Sequence, residues 1–414
     1  MPAKAIVISI GDEILYGQTL DTNSHWISGE LDNLGIRVLK KITIGDTKTD
    51  ILSNLKEAEE KADIVLLTGG LGPTNDDLTK PCLTEYFNTH LVRNEDAYEN
   101  IKEIFEKAGW EMNESNLQQA DLPANCTAIK NSIGTASGMW FDTEGKVIVS
   151  MPGVPFEMKQ MMTDSILPRL KAQFVSDGIY HRMIRTIGIG ESKLAELIKD
   201  WEDQLPNEIK LAYLPTMGAV KLRLTADSDT DLVKESIQKQ IDEVLPIIEK
   251  YVYGFDDEEI PNAIGRILQE RGQTLAIAES CTGGYLSHLT TSVPGSSEWF
   301  RGGMIPYSND LKRDQLGVEE KILDEDGAVS EPVVLALAEN VRKTINADIG
   351  ISVSGIAGPG GGTEQKPVGT VWIGYADKDK SVAKKFRFIR NREINIKYSA
   401  IAAFNMIRIN LDKD

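Results

Sequence analysis

A strand that runs directly into a glycine-rich, acidic loop is the feature that most constrains how this chain can fold. Residues 64–67 read IVLL, and such an apolar run predicts a strand buried on both faces of a parallel sheet. The loop that follows, residues 68–79, reads TGGLGPTNDDLT. Loops at the carboxyl ends of parallel strands are where α/β proteins commonly bind phosphates, so this loop predicts a site for an anionic ligand.

The residue types of this loop indicate how a metal-bound phosphate would be held. Glycine allows sharp turns and lets backbone N–H groups approach a phosphate closely. The candidate phosphate contacts are Gly69, Gly70, Gly72, Thr74 and Asn75, and the candidate metal ligands of the loop are Asp76 and Asp77. The alternative interpretation is a tight turn whose acids cap the next helix.

Two earlier strands also end in acidic turns. Residues 5–10 and 37–44 predict strands, and predicted helices at residues 22–34 and 50–61 alternate with them. This βαβαβ order predicts a doubly wound parallel sheet with one shared carboxyl edge. Mg²⁺ uses one or two carboxylates together with water and substrate phosphates. The acids predicted to gather at this edge as metal ligands are Asp12, Glu13, Asp46, Asp76 and Asp77.

The length of the chain predicts several domains, because 414 residues exceed a single ordinary core. We predict a doubly wound domain over residues 1–174, a small α/β domain over residues 175–254 and a further α/β domain over residues 255–414. The turn at residues 188–190 lacks the third glycine of a dinucleotide-binding fingerprint.

Charge and cysteine content argue against several classes of function. The net charge of −18 argues against nucleic acid or an anionic membrane as the main partner. The three cysteines form no CxxC pair, which is typical of a reducing cytoplasm and argues against disulfides or structural zinc. The amino-terminal segment lacks a signal-peptide pattern, and no apolar stretch approaches the roughly 20 residues of a membrane helix. We therefore expect a cytoplasmic protein.

A second set of reactive side chains lies in the last predicted domain. Ser280 stands on a predicted strand-to-helix turn, and Tyr307 and Lys312 follow it. The four histidines are widely scattered, so a lysine neutralised by burial is the natural base for a serine nucleophile. Backbone N–H groups of glycine turns at residues 283–284 or 355–358 could hold an oxyanion or a phosphate.

Two other interpretations of this set stay open. Ser280 and Thr282 could cap the following helix, with Lys312 as a solvated surface residue. Alternatively, Cys281 could be the nucleophile, with Glu279 and Lys312 as its partners. Spacing alone does not decide among the three interpretations.

A series of motifs resembles the competence/damage-inducible CinA family. In the first half of the chain these are SIGDEIL, DTNS, TGGLGPTNDDLT and MPGVPFEM. In the second half they are AESCTGG, VPGSS, YSN, GAVSEPV, SGIAGPGGG and KPVGTVW. The resemblance covers nearly the whole chain, in order. It implies a molybdopterin-binding-like domain, a small KH-like α/β linker domain and an α/β amidase domain.

The resemblance also implies a bifunctional enzyme of pyridine nucleotide salvage. The first domain would hydrolyse ADP-ribose to AMP and ribose 5-phosphate with a divalent metal, expected to be Mg²⁺, assisted by K⁺. The last domain would deamidate nicotinamide mononucleotide to nicotinate mononucleotide and ammonia without a cofactor. The family further implies a homodimer.

The amidase residues of the family carry over to this chain by motif. Ser297, the second serine of VPGSS, is implied as the nucleophile, with Ser280 and Lys312 relaying its proton. Tyr307 would support the reacting group. The implied contacts to the substrate are Thr282, Gly283, Gly284, Ser354, Gly355 and Arg392.

Two other functions are compatible with the same motifs. One is a molybdopterin-handling transferase, because the first domain shares its fold with such proteins, and fold does not fix function. The other is a non-catalytic, competence-related scaffold.

Overall fold

A computed structural model describes residues 2–74, 77–174 and 179–411. Its internal contacts divide the chain into two units, Met1–Tyr180 with Ala226–Lys234, and His181–Thr225 with Glu235–Asp414. The predicted ligands Asn75 and Asp76 lie outside the described residues.

The first unit alternates strands and helices up to residue 68 and then adds a more irregular half. Its elements are β1 (Lys4–Ile10), α1 (Asp12–Leu15), α2 (Thr22–Asn33), β2 (Arg37–Ile44), α3 (Lys48–Lys61), β3 (Ile64–Thr68), α4 (Thr79–Tyr86), β4 (Leu91–Arg93), α5 (Glu95–Ala108), α6 (Glu114–Gln118), β5 (Asp121–Pro123), β6 (Thr127–Ile129), β7 (Gly138–Thr143), β8 (Lys146–Met151), α7 (Pro155–Met161) and α8 (Leu167–Phe174). A π-helical segment, Met162–Ile166, joins α7 to α8.

The main sheet of the first unit has the strand order β2-β1-β3-β8-β7-β6. The four strands β2, β1, β3 and β8 are parallel, and β7 and β6 continue the sheet antiparallel. The predicted doubly wound parallel sheet is therefore confirmed. The loops after β1, β2, β3 and β8 all leave from one edge, which we call the carboxyl edge.

Both faces of this sheet are covered, which explains the uninterrupted apolar runs of its strands. Successive side chains of a strand point to opposite faces. Ile8 of β1 packs in a cluster with Leu55 of α3, whereas the preceding residue, Val7, packs in a second cluster with Leu31 of α2. The two layers hold the strand ends rigidly and thereby fix the loops of the carboxyl edge.

The second unit contains two further sheets. Its elements are β9 (Tyr180–Ile187), α9 (Glu191–Glu202), β10 (Ile209–Thr216), β11 (Ala219–Ala226), α10 (Asp231–Ile248), β12 (Val252–Phe255), α11 (Ile260–Glu270), β13 (Leu275–Glu279), α12 (Tyr285–Thr291), β14 (Phe300–Met304), α13 (Asn309–Leu316), α14 (Glu320–Asp326), α15 (Glu331–Ile345), β15 (Ile349–Gly355), β16 (Thr370–Ala376), β17 (Ser381–Arg387) and α16 (Arg392–Leu411). The smaller sheet has the order β10-β11-β9-β12, and the larger has the order β14-β13-β15-β16-β17.

The larger sheet places the ends of β13 and β15 next to each other. Strands β14, β13 and β15 are parallel, and Glu279 at the end of β13 is paired with Val353 of β15. Ile277 of β13 packs in a cluster with Phe404 of α16, whereas the adjacent Ala278 packs with Leu337 of α15. Helices on both faces therefore hold the turns that follow these strands.

Among the residues that the model describes, no helix is long and apolar enough to cross a membrane.

Two candidate active sites

The loop after β3 contains glycines at positions where a side chain would not fit. Gly69 and Gly70 have φ angles of 115° and 64°. A Cβ atom on Gly69 would lie 2.1 Å from the carbonyl oxygen of Ile10. One on Gly70 would lie 2.2 Å from Thr79 Oγ1. The hydroxyl of Thr79 donates to the carbonyl oxygen of Gly69 over 3.0 Å, so the loop is tied back to the start of α4.

A polar cavity of about 430 Å³ lies at this carboxyl edge. Its walls come from the loops that follow β1, β2, β3 and β8, and from residues 119 and 135–136. The acidic side chains that line it are Glu13, Asp46, Asp77 and Glu157. The predicted gathering of acids is therefore found for Glu13, Asp46 and Asp77.

The surroundings of Asp46 disfavour the negative charge on its carboxylate. Partial burial raises its pKa, and the neighbouring carboxylates of Asp12, Glu13 and Asp77 raise it further by repulsion. Asp12 does not line the cavity; its backbone N–H donates to Asp46 Oδ2 over 2.9 Å. A bound cation would relieve this repulsion among carboxylates.

The donor set suits a hard divalent cation, because its side chains present carboxylate oxygens. Within residues 2–74, 77–174 and 179–411, no three acidic, histidine or cysteine side chains form a group that could hold a metal ion by themselves. Mg²⁺ commonly keeps several water ligands and uses only one or two carboxylates. The metal-ligand set predicted from the sequence therefore stays a prediction.

Thr74 turns towards Asp77 within the loop. Its backbone N–H donates to Asp77 Oδ2 over 3.1 Å, and its hydroxyl donates to the same oxygen. The N-cap residue of α4 is Leu78, and no side-chain hydrogen bond caps the helix at this position. The carboxylate of Asp77 thus organises its own loop.

Sequence reasoning missed three polar side chains of this cavity, those of Gln119, Thr135 and Glu157. Glu157 had a usable signal, because the turn before it follows β8, the strand next to β3 in the sheet. Gln119 has no comparable signal, because it follows the short helix α6 and no strand of the main sheet. Tertiary contacts alone place Gln119 in the wall of the cavity.

Ser280 begins the second site, at the carboxyl end of β13. Its backbone N–H donates to the carbonyl oxygen of Val353 over 2.9 Å. Helix α12 begins shortly afterwards, and the carboxylate of Glu279 accepts from the backbone N–H groups of Gly284, Leu286 and Ser287 over 2.8–3.0 Å. The acid therefore caps this helix, and the interpretation of Ser280 as a capping serine is wrong.

Lys312 is buried beside this serine. The lysine lies on α13 and is 1% exposed. Its Nζ donates to Ser280 Oγ over 3.2 Å and to the carbonyl oxygen of Tyr307 over 3.0 Å. Burial lowers the pKa of Lys312, because the charged ammonium loses its hydration. The interpretation of Lys312 as a solvated surface residue is therefore wrong.

The cavity around this pair has a volume of about 270 Å³. Its other walls are Gly355 at the end of β15, the turn that follows it, residues 328–329 and the start of α16. Arg392 donates from Nη1 to the carbonyl oxygen of Gly358 over 2.7 Å and from Nη2 to the hydroxyl of Tyr307 over 3.3 Å. Ser354 also lines the cavity and donates its hydroxyl hydrogen to the carbonyl oxygen of Ala328 over 2.7 Å.

Cys281 lines the same cavity but is poorly suited to be its nucleophile. Burial raises the pKa of its thiol to about 12, so the reactive thiolate is scarce at neutral pH. Glu279, its proposed partner, is occupied by the start of α12. The geometry therefore favours the serine over the cysteine.

Ser297 is not brought to this cavity within one chain. It lies exposed in a 3₁₀ turn, Ser296–Glu298, which precedes β14. Because β14 runs parallel to β13, a residue before β14 and a residue after β13 lie at opposite edges of the sheet. The predicted nucleophile and Ser280 are thus separated by the length of a strand.

The turn at residues 282–284 uses its glycine N–H groups for hydrogen bonds to residues just before it in the chain. The N–H of Gly283 donates to the carbonyl oxygen of Ser280, and that of Gly284 donates to Glu279. The hydroxyl oxygen of Thr282 is buried and has no hydrogen-bond partner among the described residues. The glycine turn that lines the cavity is instead the one after β15.

The fold and the two cavities define a multidomain α/β protein with a separate polar site on each of two sheets. Three family models match the chain. They are described as "Probable molybdopterin binding domain" over residues 6–172, "Damage-inducible protein CinA KH domain" over residues 181–254 and "CinA C-terminal domain" over residues 257–411.

Relatives match along nearly the full length. A CinA-like protein of Cytophaga hutchinsonii is 51% identical over 405 residues, which cover 98% of this chain and 97% of the relative. A CinA-like protein of Flavobacterium psychrophilum is 40% identical over 407 residues, which cover 98% and 97%. A crystal structure of the protein CinA, with unknown function, from Thermoplasma acidophilum is 34% identical and covers 39% of this chain and 95% of its own, with a TM-score of 0.37. The chain belongs to the CinA family.

Proposed function

We propose that the C-terminal domain is a nicotinamide-nucleotide amidase, which hydrolyses nicotinamide mononucleotide to nicotinate mononucleotide and ammonia. The observation that carries this proposal is the buried amine of Lys312, 3.2 Å from Ser280 Oγ. A serine hydroxyl needs an adjacent base to become a nucleophile. A lysine whose pKa is lowered by burial can be that base in its neutral form.

In the proposed reaction, Ser280 Oγ attacks the carboxamide carbon while its proton passes to Lys312 Nζ. The C–N bond then breaks, and the same proton leaves with the amine as ammonia, which gives an acyl ester on Ser280. Water attacks this ester and again gives a proton to Lys312. The C–O bond to Ser280 breaks, and the proton returns to Ser280 Oγ. The product acid loses its remaining proton to solvent and leaves as the carboxylate.

The surrounding side chains suit the two ends of this substrate. Ser354 donates its own hydrogen to Ala328, which leaves its oxygen lone pairs to accept from the carboxamide NH₂ group. The guanidinium of Arg392, at the start of α16, can attract the phosphate. Tyr307 is held by Arg392 at the same wall.

We propose Ser280 as the nucleophile, since it is the serine in contact with Lys312. Ser297, the serine implied by family motifs, would reach this cavity only from a second copy of the chain or through a large rearrangement.

A homodimer is proposed from the family resemblance, and sedimentation of the full chain tests it. The free cysteines Cys82, Cys126 and Cys281 support the proposal of a reducing, cytoplasmic location.

Ammonia release from nicotinamide mononucleotide by the full-length chain tests the amidase. We expect activity in the wild type and a loss of about a thousandfold or more in Lys312→Met. Lys321→Met, which replaces a side chain 75% exposed on α14, is the matched control and should keep full activity. An inactive wild type would instead favour the non-catalytic scaffold.

We further propose that the N-terminal domain hydrolyses ADP-ribose to AMP and ribose 5-phosphate. The support is the cavity in which Glu13, Asp46 and Asp77 face the glycine turn after β3. These carboxylates would hold a divalent cation, expected to be Mg²⁺, with K⁺ as a second ion. When bound, the cation would neutralise charge on the diphosphate. The N–H of Gly69 already donates to the carbonyl oxygen of Met151, so backbone N–H groups of residues 70–72 would bind the phosphates. Water would cleave one P–O bond of the diphosphate bridge.

AMP formation from ADP-ribose, with Mg²⁺ and then with EDTA, tests this second activity. We expect hydrolysis that requires the metal and is lost in the double variant Asp46→Asn/Asp77→Asn. Asp96→Asn, at an exposed position in the first turn of α5, is the matched control.

The description of the matching family model also favours a second candidate, a pterin-handling transferase. Turnover of molybdopterin with ATP, and none of ADP-ribose, would select it.

A further inference from the structure

An unpaired acceptor lies in the wall of the N-terminal cavity. Gln119 lines this cavity and is only 4% exposed. Its side-chain oxygen, Oε1, is buried and has no hydrogen-bond partner among the described residues. Buried polar atoms in folded proteins nearly always have a partner, so this oxygen marks a place that a ligand or a water molecule completes.

The backbone around Gln119 is held in place by a lysine. Lys80 Nζ donates to the carbonyl oxygens of Gln118, Gln119 and Asp121 over 3.1, 3.3 and 3.0 Å. The lysine immediately follows Thr79, whose hydroxyl fixes the glycine turn after β3. Two neighbouring residues at the start of α4, Thr79 and Lys80, therefore hold the glycine turn and the backbone that carries the Gln119 side chain.

The chemistry of the cavity restricts what Oε1 can bind. An amide oxygen only accepts hydrogen bonds, and the carboxylates of Glu13, Asp46 and Asp77 also only accept when ionised. The phosphates of a nucleotide diphosphate carry no hydrogen to donate at neutral pH. The ribose groups that flank a diphosphate carry hydroxyls, which are donors.

We propose that Gln119 is a specificity-determining residue whose side-chain carbonyl accepts a hydrogen bond from a ribose hydroxyl of the bound substrate. Lys80 is its positioning residue. This inference rests on the proposed ADP-ribose hydrolysis and adds to it the feature that distinguishes a ribose from a deoxyribose.

Calorimetric titration of the full-length chain with Mg²⁺ and the two products tests the role of Gln119. The ligands are AMP and ribose 5-phosphate, each compared with its 2-deoxy and 3-deoxy analogues, so that the two riboses are distinguished. We expect the wild type to prefer one hydroxylated ligand by about three- to tenfold, the size of one neutral hydrogen bond. Gln119→Leu should erase this preference, and Gln118→Leu, at the exposed neighbouring position, should keep it.

Two further variants separate recognition from folding. Gln119→Glu retains acceptor oxygens, so it should keep the preference even if the added charge weakens overall affinity. Lys80→Met should lose the preference, and the double variant Lys80→Met/Gln119→Leu should lose no more than either single variant. A structural defect alone would weaken all ligands equally and would leave their ratio unchanged.

Each result has a distinct meaning. A wild type that does not hydrolyse ADP-ribose removes the proposed function, and this inference with it. A wild type that hydrolyses ADP-ribose but shows no hydroxyl preference overturns only the role of Gln119. Retention of the preference in Gln119→Leu overturns that role as well.

Discussion

Lys312 Nζ lies 3.2 Å from Ser280 Oγ, and the lysine is almost completely withdrawn from solvent. Glu279, and not Ser280, caps helix α12. The serine hydroxyl is thereby left available to the lysine. A buried lysine facing a serine, with no histidine in the cavity lining, is the arrangement expected of a serine/lysine hydrolase.

The pH dependence of ammonia release should report the lysine. Burial lowers the pKa of Lys312 below its usual value of 10.5, and the neutral amine is the active form. The rate constant kcat/KM should therefore be low in acid, where the lysine is protonated, and should rise with pH through this lowered pKa. A pH series of initial rates measures the midpoint. A flat profile in this range, with full activity in Lys312→Met, would show that the lysine is not the base.

A comparison of three alanine variants should identify the nucleophile. Ser280→Ala should lower kcat by about a thousandfold or more. Cys281→Ala should stay active, because its thiol is almost entirely protonated at neutral pH. Ser292→Ala, at an exposed position after α12, is the matched control for the serine.

Ser297→Ala needs a second experiment. If Ser280 is the nucleophile, Ser297→Ala keeps activity. If Ser297→Ala is inactive, mixing it with inactive Lys312→Met chains shows whether the serine acts from a second copy. Recovery of activity on mixing would assign Ser297 to a partner's site and would contradict the role proposed for Ser280.

Metal affinity of the N-terminal cavity should fall in mild acid. Burial and the neighbouring acids raise the pKa of Asp46 above its usual 3.8, so protons compete with the cation at a higher pH than for an ordinary aspartate. Asp46→Asn should weaken Mg²⁺ binding by about tenfold or more and should reduce this pH dependence. Calorimetric titration with Mg²⁺ at several pH values measures both effects. Equal affinity in Asp46→Asn and Asp96→Asn would exclude Asp46 as a ligand.

The first sheet could be predicted because its signals are local. Each strand is an apolar run that ends at a glycine or an acid, and parallel strands bring such ends to one edge. The acids Glu13 and Asp46 could therefore be assigned to one site although two helices, α1 and α2, separate β1 from β2 in the chain. The assignment of these two acids to one site depends on the predicted pairing of neighbouring strands and not on any single residue.

The side chains that complete the sites could not be predicted in the same way. For Lys312 the sequence allows both a base neutralised by burial and a solvated surface residue, and only the packing of α13 shows that the side chain is buried. Gln119 is brought to its cavity by carbonyl contacts to Lys80, which is 39 positions away. The role of Ser297 stays a prediction, because a family motif indicates that a residue matters but not at which edge of the sheet it lies.

Gly69→Ala should disrupt the N-terminal site more than its backbone angle alone predicts. Gly69 and Gly109 both have positive φ angles, but only at Gly69 would a Cβ atom meet a backbone oxygen, at 2.1 Å. At Gly109, the C-cap of α5, a Cβ atom would meet nothing within 4 Å. Gly109→Ala should therefore cost about 1 kcal/mol of stability from its left-handed conformation. Gly69→Ala should cost several times as much, because the chain around Ile10 must shift, and it should abolish AMP formation from ADP-ribose. Thermal unfolding midpoints of the two variants measure the difference, and equal midpoints would mean that the turn after β3 is not tightly packed against β1.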